Sequence, residues 1–414
     1  MKILYSFSLV LVMGMAFSQF SVSAELRPRF EFRNGYGTLM PNNTDAATFV
    51  SQRSRLNTHY LNEGLEVFLS LQDIRVWGDV KQLNNSDKNG AMIHQAWGKF
   101  NFGTGSSIKL GRQVISYDDQ RFFGGVGWAQ QARSHDAALY AYHNDTFKMD
   151  LGVAYNQDSE ALFGSDLITS GTYKSMQYAW IHKDWVNFSG SLLLANIGWQ
   201  YLDQVNPSYN ETRFNQTIGT HLSYKKNGLG LNGNAYYQFG KDIMDNNLKA
   251  YLVGLDVDYQ FNPNLKMGLG GEIQSGNDNN VITDGENKAF TPFFGTNHKF
   301  NGWMDYFYVG NHANSVGLVD LQLNANYKVQ EKSNLSLAVH HFQTAADFKE
   351  ETLGTELDMS FSHQLKKDVN LTVGYSHMFA SDGMELLKGN TDGNTNHWAW
   401  AMVTINPTLF TSNK

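Results

Sequence analysis

The chain has 414 residues, a formal charge of -7 and no cysteine, which excludes disulfides and thiolate metal sites and gives no charge basis for a nucleic-acid partner. Its 27 Phe, 20 Tyr, 9 Trp and 38 Gly against 6 Pro favour β structure. A negative mean hydropathy excludes a bundle of membrane helices but not a barrel with a wet interior.

Residues 1–18 read as a secretion signal: Lys2, an apolar run from Ile3 to Phe17, and Ala16-Phe17-Ser18 as a small-x-small cleavage site. That run is too short to span a bilayer. Residues 19–414 are then expected to form a single barrel. From Gln19 to Arg33 polarity changes at every step. Phe20, Val22, Ala24, Leu26, Phe30 and Phe32 share one parity, while Glu25, Arg27, Arg29, Glu31 and Arg33 share the other. A strand sends alternate side chains to opposite faces. An arginine on a lipid-facing wall costs about 2–4 kcal/mol at the bilayer midplane, so the charged parity must face water inside.

The alternation recurs to the end of the chain. Leu65 to Leu71, Phe147 to Val153, Val253 to Tyr259, Val319 to Ala325 and Thr355 to Phe361 all alternate with polar or small residues. Short turns are predicted at Asn62-Glu63-Gly64, Gly103-Thr104-Gly105, His143-Asn144-Asp145, Lys183-Asp184, Lys226-Asn227-Gly228, Asn262-Pro263-Asn264, 330–333 and Lys366-Lys367-Asp368. Longer loops, among them 34–46, 78–90, 116–131 and 382–394, lie between them, the longest at about 276–316. Eight short turns and nine long loops separate eighteen strands. This predicts an all-β, antiparallel, up-and-down transmembrane barrel of about 18 strands, with short periplasmic turns and long extracellular loops. A soluble sandwich array or solenoid would need linkers or a fixed repeat, and the sequence has neither. A barrel of this size encloses water, which makes a channel the expected function.

Nine of the ten arginines lie between Arg27 and Arg133. Arg27, Arg29, Arg53, Arg55, Arg75, Arg112, Arg121 and Arg133 are the candidate basic lining. Asp256, Asp258, Glu272, Asp320, Glu356 and Asp358 fall on the inward parity of later strands and are the candidate acidic lining. In a closed ring, that asymmetry along the chain predicts a basic wall facing an acidic one. Guanidinium forks suit bidentate recognition of carboxylates. Local pairing, as between Glu25 or Glu31 and Arg27 or Arg29, is the structural alternative. Ile108 and Leu110 would send Arg112 outward unless Gly111 forms a bulge.

These segments resemble the alginate export family, outer-membrane porins of Gram-negative bacteria that pass an anionic polyuronate. The matching stretches are Ser51-Gln52-Arg53-Ser54-Arg55-Leu56, Gln72-Asp73-Ile74-Arg75-Val76-Trp77-Gly78, His94-Gln95-Ala96-Trp97, Leu110-Gly111-Arg112-Gln113, Tyr117 to Gly125, Ala132-Arg133-Ser134-His135-Asp136-Ala137 and Gly295 to Asp305. The resemblance implies an 18-stranded barrel in the outer membrane with an arginine-lined constriction that conducts uronate carboxylates. It carries the lining role to Arg53, Arg55, Arg75, Arg112, Arg121 and Arg133. The implied partners are membrane lipid, an anionic saccharide and periplasmic export or uptake components. A general diffusion porin for small solutes is the alternative, favoured by the later acids, which would repel a polyanion.

The 276–316 loop is rich in aromatics, and so much apolar area would be costly in water. It is expected to fold against the inner wall or over the mouth. Trp303, Tyr306 and Tyr308 there, with Trp128 in the 116–131 loop, are candidate sugar contacts; self-packing of the loops is the alternative. Trp398 and Trp400 share a parity, either lumen-facing or, with a bulge, in an interfacial belt. No metal or other cofactor is expected: His340 and His341 are adjacent in a strand and point to opposite faces. No catalytic set is expected either. Ser116 or Ser134 with His135 is the best approach to one, and adjacency in a strand spoils its geometry.

Overall fold

The computed structural model describes residues 18–84, 86–169 and 171–412. The proposed signal segment lies outside them apart from Ser18. Eighteen strands form the wall. The first nine are β1 (Gln19–Asn34), β2 (Ala47–Asn62), β3 (Leu65–Val76), β4 (Met92–Phe102), β5 (Ser106–Gln113), β6 (His135–His143), β7 (Phe147–Tyr155), β8 (Ser175–Asp184) and β9 (Phe188–Tyr201). They continue with β10 (Glu211–Lys226), β11 (Leu229–Lys241), β12 (Asn247–Asn262), β13 (Leu265–Gln274), β14 (Leu318–Gln330), β15 (Ser333–Gln343), β16 (Thr352–Lys366), β17 (Val369–Ala380) and β18 (Asn396–Ile405).

Each strand pairs antiparallel with its sequence neighbours, and β18 returns to β1 in a register running from Leu26↔Ile405 to Asn34↔His397. Past Pro407, residues Thr408–Thr411 resume the pairing with Val22↔Phe410. Closure leaves no sheet edge, as lipid requires, because an unpaired backbone amide has no water partner there. The short turns fall where the sequence places them, except that the one after β8 centres on Trp185–Asn187.

Side-chain parity orients the wall. Arg29 is 4% exposed and its neighbour Phe30 is 45% exposed. Leu151, Val153, Leu194, Ile218, Leu255, Leu269 and Leu323 all face outward. The inward face is not uniformly polar. Met176, Tyr178, Trp180, Leu193, Ile197, Tyr236 and Leu252 form one buried apolar cluster with residues of two long loops. Leu318, Phe342, Met378, Trp398 and Trp400 belong to a second. Trp398 and Trp400 therefore face the lumen. A short helix, Asp382–Lys388, interrupts the last long loop; the left-handed Gly389 ends it.

Leu323→Arg is expected to destabilise the barrel by about 2–4 kcal/mol, whereas Asn324→Arg on the opposite parity is expected to be tolerated. The yield of heat-modifiable folded barrel on semi-native gels distinguishes the two.

Candidate functional site

An eighteen-stranded ring is too wide for wall side chains to fill. Here two loops enter it: residues 114–134, between β5 and β6, and residues 275–317, between β13 and β14. Loop backbone inside a barrel must find hydrogen-bond partners. Arginines of β1 and β2 supply them to the first loop. Arg27 donates from Nη1 to the Gly127 carbonyl at 2.7 Å, from Nη2 to those of Trp128 and Ala129 at 3.0 and 3.2 Å, and from Nε to Gln130 Oε1 at 3.1 Å. Arg29 Nη1 donates to the Trp128 carbonyl at 2.9 Å. Arg53 Nη1 reaches the carbonyls of Ala129 and Gln130 at 3.3 Å each.

The second loop is held from the wall of β13, β14 and β16 by carboxylates that accept its amides. The Met304 N–H donates to Glu356 Oε1 at 2.8 Å and the Trp303 N–H to Asp358 Oδ2 at 3.4 Å. Asn301 Nδ2 donates to Glu272 and to Asp320, at 3.1 Å each. Gly302 has φ +79°, and a Cβ there would lie 2.7 Å from Glu356, so only glycine suits this seat. On the loop's outer side Lys388 donates to the Tyr306 and Asn311 carbonyls at 2.7 and 3.1 Å. Burial lowers its ammonium to about 8.

The loops also grip each other. Arg121 is fully buried, with Nε and Nη2 on Glu272 at 2.8 and 2.5 Å and Nη2 on Asn301 Oδ1 at 3.0 Å. Phe123 and Phe294 stack at 5.5 Å and 7°. The Gly124 N–H donates to the Phe294 carbonyl at 2.8 Å, and a Cβ on Gly124 would strike Thr296 Oγ1.

Between these loops and β1–β3 lies a cavity of about 860 Å³ at the long-loop end. Its lining includes Arg29, Glu31, Arg33, Tyr36, Arg133 and Tyr308. Arg29 and Arg33 share Glu31, each with a closest approach below 3 Å (2.9 and 2.8 Å). Arg27 and Arg53 share Glu25 at 4.0 and 2.5 Å. Arg55 and Arg133 have no carboxylate within 4.0 Å among the described residues. Leaving aside Arg75, which is neutralised at the rim, the six guanidiniums of Arg27, Arg29, Arg33, Arg53, Arg55 and Arg133 thus stand against four carboxylates on this side: Glu25, Glu31 and the cavity-lining Asp79 and Asp305. Burial lowers Arg133 to about 10, which leaves it cationic at neutral pH. Its Nη1 makes one bond, to the Gly295 carbonyl at 3.1 Å, and its remaining donors are uncommitted. Arg55 is bound through Nε to Gln72 at 2.8 Å, while its buried Nη2 has no partner.

Several sequence expectations need correction. Arg75 and Arg112 lie on the outward parity at the rim, where Arg75 still borders the cavity and Arg112 does not line it. Arg75 pairs across the sheet with outward Gln52, and Arg112 with Ala96, opposite Leu69. Acids neutralise them there: Asp73 and Asp87 at 2.6 and 2.7 Å, and Asp136 at 2.7 Å. Gly111 does not flip the parity. Arg121 is a staple between loops and not a lining residue. Glu272, Asp320, Glu356 and Asp358 face inward but are covered by the 275–317 loop; Asp256 and Asp258 are half-buried, bound to Gln322 and Lys266 at 2.7 and 2.5 Å. The two charged walls therefore meet loops before they meet each other. Tyr306 is fully buried with its hydroxyl on the Gly35 carbonyl, and Trp303 packs in the second apolar cluster. Trp128 reaches the cavity, but Arg29 lies 4.2 Å from its ring centroid and His298 stacks on it at 4.8 Å. Tyr308 is the exposed aromatic of the four.

Sequence reasoning did not single out Glu31, Tyr36, His298 and Asp305 as a group. Glu31 was findable from its parity with Arg29 and Arg33. The others meet only through the loops: His298 Nδ1 lies 2.9 Å from Asp305, which also accepts from the Tyr36 hydroxyl.

Arg121→Met leaves Glu272 without its cationic partner and is expected to cost the loop junction about 3–5 kcal/mol. Hydrogen exchange of residues 114–134 should accelerate while the barrel amides stay protected. The rim variant Arg112→Gln should change stability by no more than about 1 kcal/mol in the same experiment.

Among solved structures the chain resembles OpdK of Pseudomonas aeruginosa, with vanillate, at a TM-score of 0.61 and 12% identity, covering 94% of this chain and 98% of that one. It resembles OccAB1 of Acinetobacter baumannii at 0.62 and 14%, covering 94% and 97%. OpdL of Pseudomonas aeruginosa aligns at 0.63 and 12%, covering 94% and 99%. At these identities the likeness establishes the barrel fold. No curated protein sequence matches the chain. Residues 18–400 match the family model described as alginate export. The fold and this match together place the barrel in the outer membrane as a channel-type protein, and the chain belongs to the alginate export family.

Proposed function

We propose that the barrel is a passive channel for anionic sugars, from uronates up to a polyuronate chain, and that the cavity beside β1–β3 is its selecting site. The excess of guanidinium over carboxylate around that cavity carries this reading. A cationic cavity with low-dielectric walls concentrates anions. Arg33, part-exposed and sharing Glu31, and Arg133, with free donors, are the groups that would meet a carboxylate. Sharing matters, because a saccharide that moves on must be held weakly at each contact. The deeper Arg27, Arg29 and Arg53 then act by field and by holding loop 114–134, and Arg55 offers an unpartnered donor below them. The family description supports a uronate, and the vanillate of the OpdK structure is likewise a carboxylate. Residues 1–18 are proposed to direct secretion, as an outer-membrane destination requires.

A planar bilayer with purified protein under a salt gradient tests this. The reversal potential should favour anions, and oligo-uronates should block the current. Arg133→Gln should lower the anion preference about two- to fivefold, the worth of one charge acting through water over roughly 4–8 Å. Cation preference, or current that oligo-uronates leave untouched, would instead indicate a general diffusion porin.

A further inference from the structure

The loop 275–317 divides the long-loop end of the lumen. One side faces the basic cavity through Gly295, Asn297, His298 and Asp305. The other side, with β9–β12, bounds a separate cleft of about 680 Å³ that reaches the long-loop surface. Its character is the opposite. Trp199, Leu202, Ile243, Leu248 and Phe293 line it, with the Trp199 and Phe293 rings 5.2 Å apart. The charges at its edge are already committed. The carboxylate of Asp242 accepts from the Met244 and Asn246 amides at 2.9 Å and from Asn287 Nδ2 at 3.1 Å. Arg213 is held by Glu211 at 2.7 Å and by the Ile243 carbonyl at 2.7 Å.

One polar group is not committed. Asn215 is 2% exposed, shares the inward parity of its partner Ile197, and lines the cleft. Its Oδ1 is buried with no hydrogen-bond partner. An orphaned amide in an apolar pocket is costly unless something meets it. The volume falls within the range of small-molecule sites, which combine apolar walls with a few placed polar groups.

We propose that this cleft is a second ligand site, for a small neutral molecule with an aromatic or aliphatic ring and one hydroxyl or amide group. The ring packs on Trp199 and Phe293, and the polar group bonds to the Asn215 amide. The site is independent of the anion cavity: among the described residues no free cation lines it, and the 275–317 loop lies between the two.

The probe is 4-fluorobenzyl alcohol, followed by 19F line broadening with protein in lipid nanodiscs, with empty nanodiscs as the partition control. Broadening above the control should saturate. Asn215→Leu should raise the Kd about fivefold, the usual worth of one hydrogen bond. Ile243→Arg, a change in an exposed loop that obstructs the cleft without disturbing the barrel, should abolish saturable binding. Arg133→Gln should leave it unchanged. Broadening equal to that of empty discs overturns the proposal. So does an unchanged Kd in Ile243→Arg, or equal weakening in Arg133→Gln, which would put the probe in the basic cavity.

Discussion

The organisation of this lumen depends on one interaction: guanidiniums on a strand wall donating to the carbonyls of a loop that has left the wall. A wide barrel offers irregular backbone few partners beyond water, side chains and the backbone of another loop. Arg27, Arg29 and Arg53 provide several charge-assisted bonds to residues 127–130, each worth about 1.5–3 kcal/mol. The wall of β13, β14 and β16 repeats the arrangement with reversed polarity, its acids accepting the amides of the second loop. Where the two loops meet, Arg121 and Glu272 join the two systems in a single ion pair.

This arrangement makes most wall charges structural and leaves few for a solute. The acids become seats for loop 275–317. Arg33, Arg55 and Arg133 retain spare donors, and they sit on the same side as a cavity large enough for a saccharide unit. The loop between the walls separates that cavity from an apolar cleft whose one buried amide is unsatisfied. A single segment thus gives two neighbouring spaces different chemistry.

The wall was legible because a period of two is a local property, and lipid enforces it strongly at Leu65–Leu71 or Val253–Val257. The same rule, applied consistently, would have sent Arg75 outward, since it shares the parity of Leu65; the family motif around it pulled the other way. The fate of Arg121 and Glu356 was not legible. Parity says that a side chain faces inward, but whether it then meets water or a loop depends on contacts such as Arg121 to Glu272, 151 residues apart. The apolar patches on the inner wall were hidden for a related reason: Met176 and Tyr178 look like interruptions of a pattern until the loop aromatics that cover them are in place.

Two residues of the cavity, Trp128 and Glu31, also touch the seam where the first and last strands meet. Trp128 packs on Trp398 and Trp400 of β18, and Trp398 Nε1 donates to Glu31 of β1 at 3.2 Å, across 367 residues of sequence. Contacts of such separation carry the loop-closure entropy of all the intervening chain. Loop 114–134 precedes two thirds of the barrel in the chain, yet its final seat requires the last strand. Recognition of a solute is therefore confined to molecules whose ring is shut, and a barrel stalled one strand short would be unable to offer the site at all.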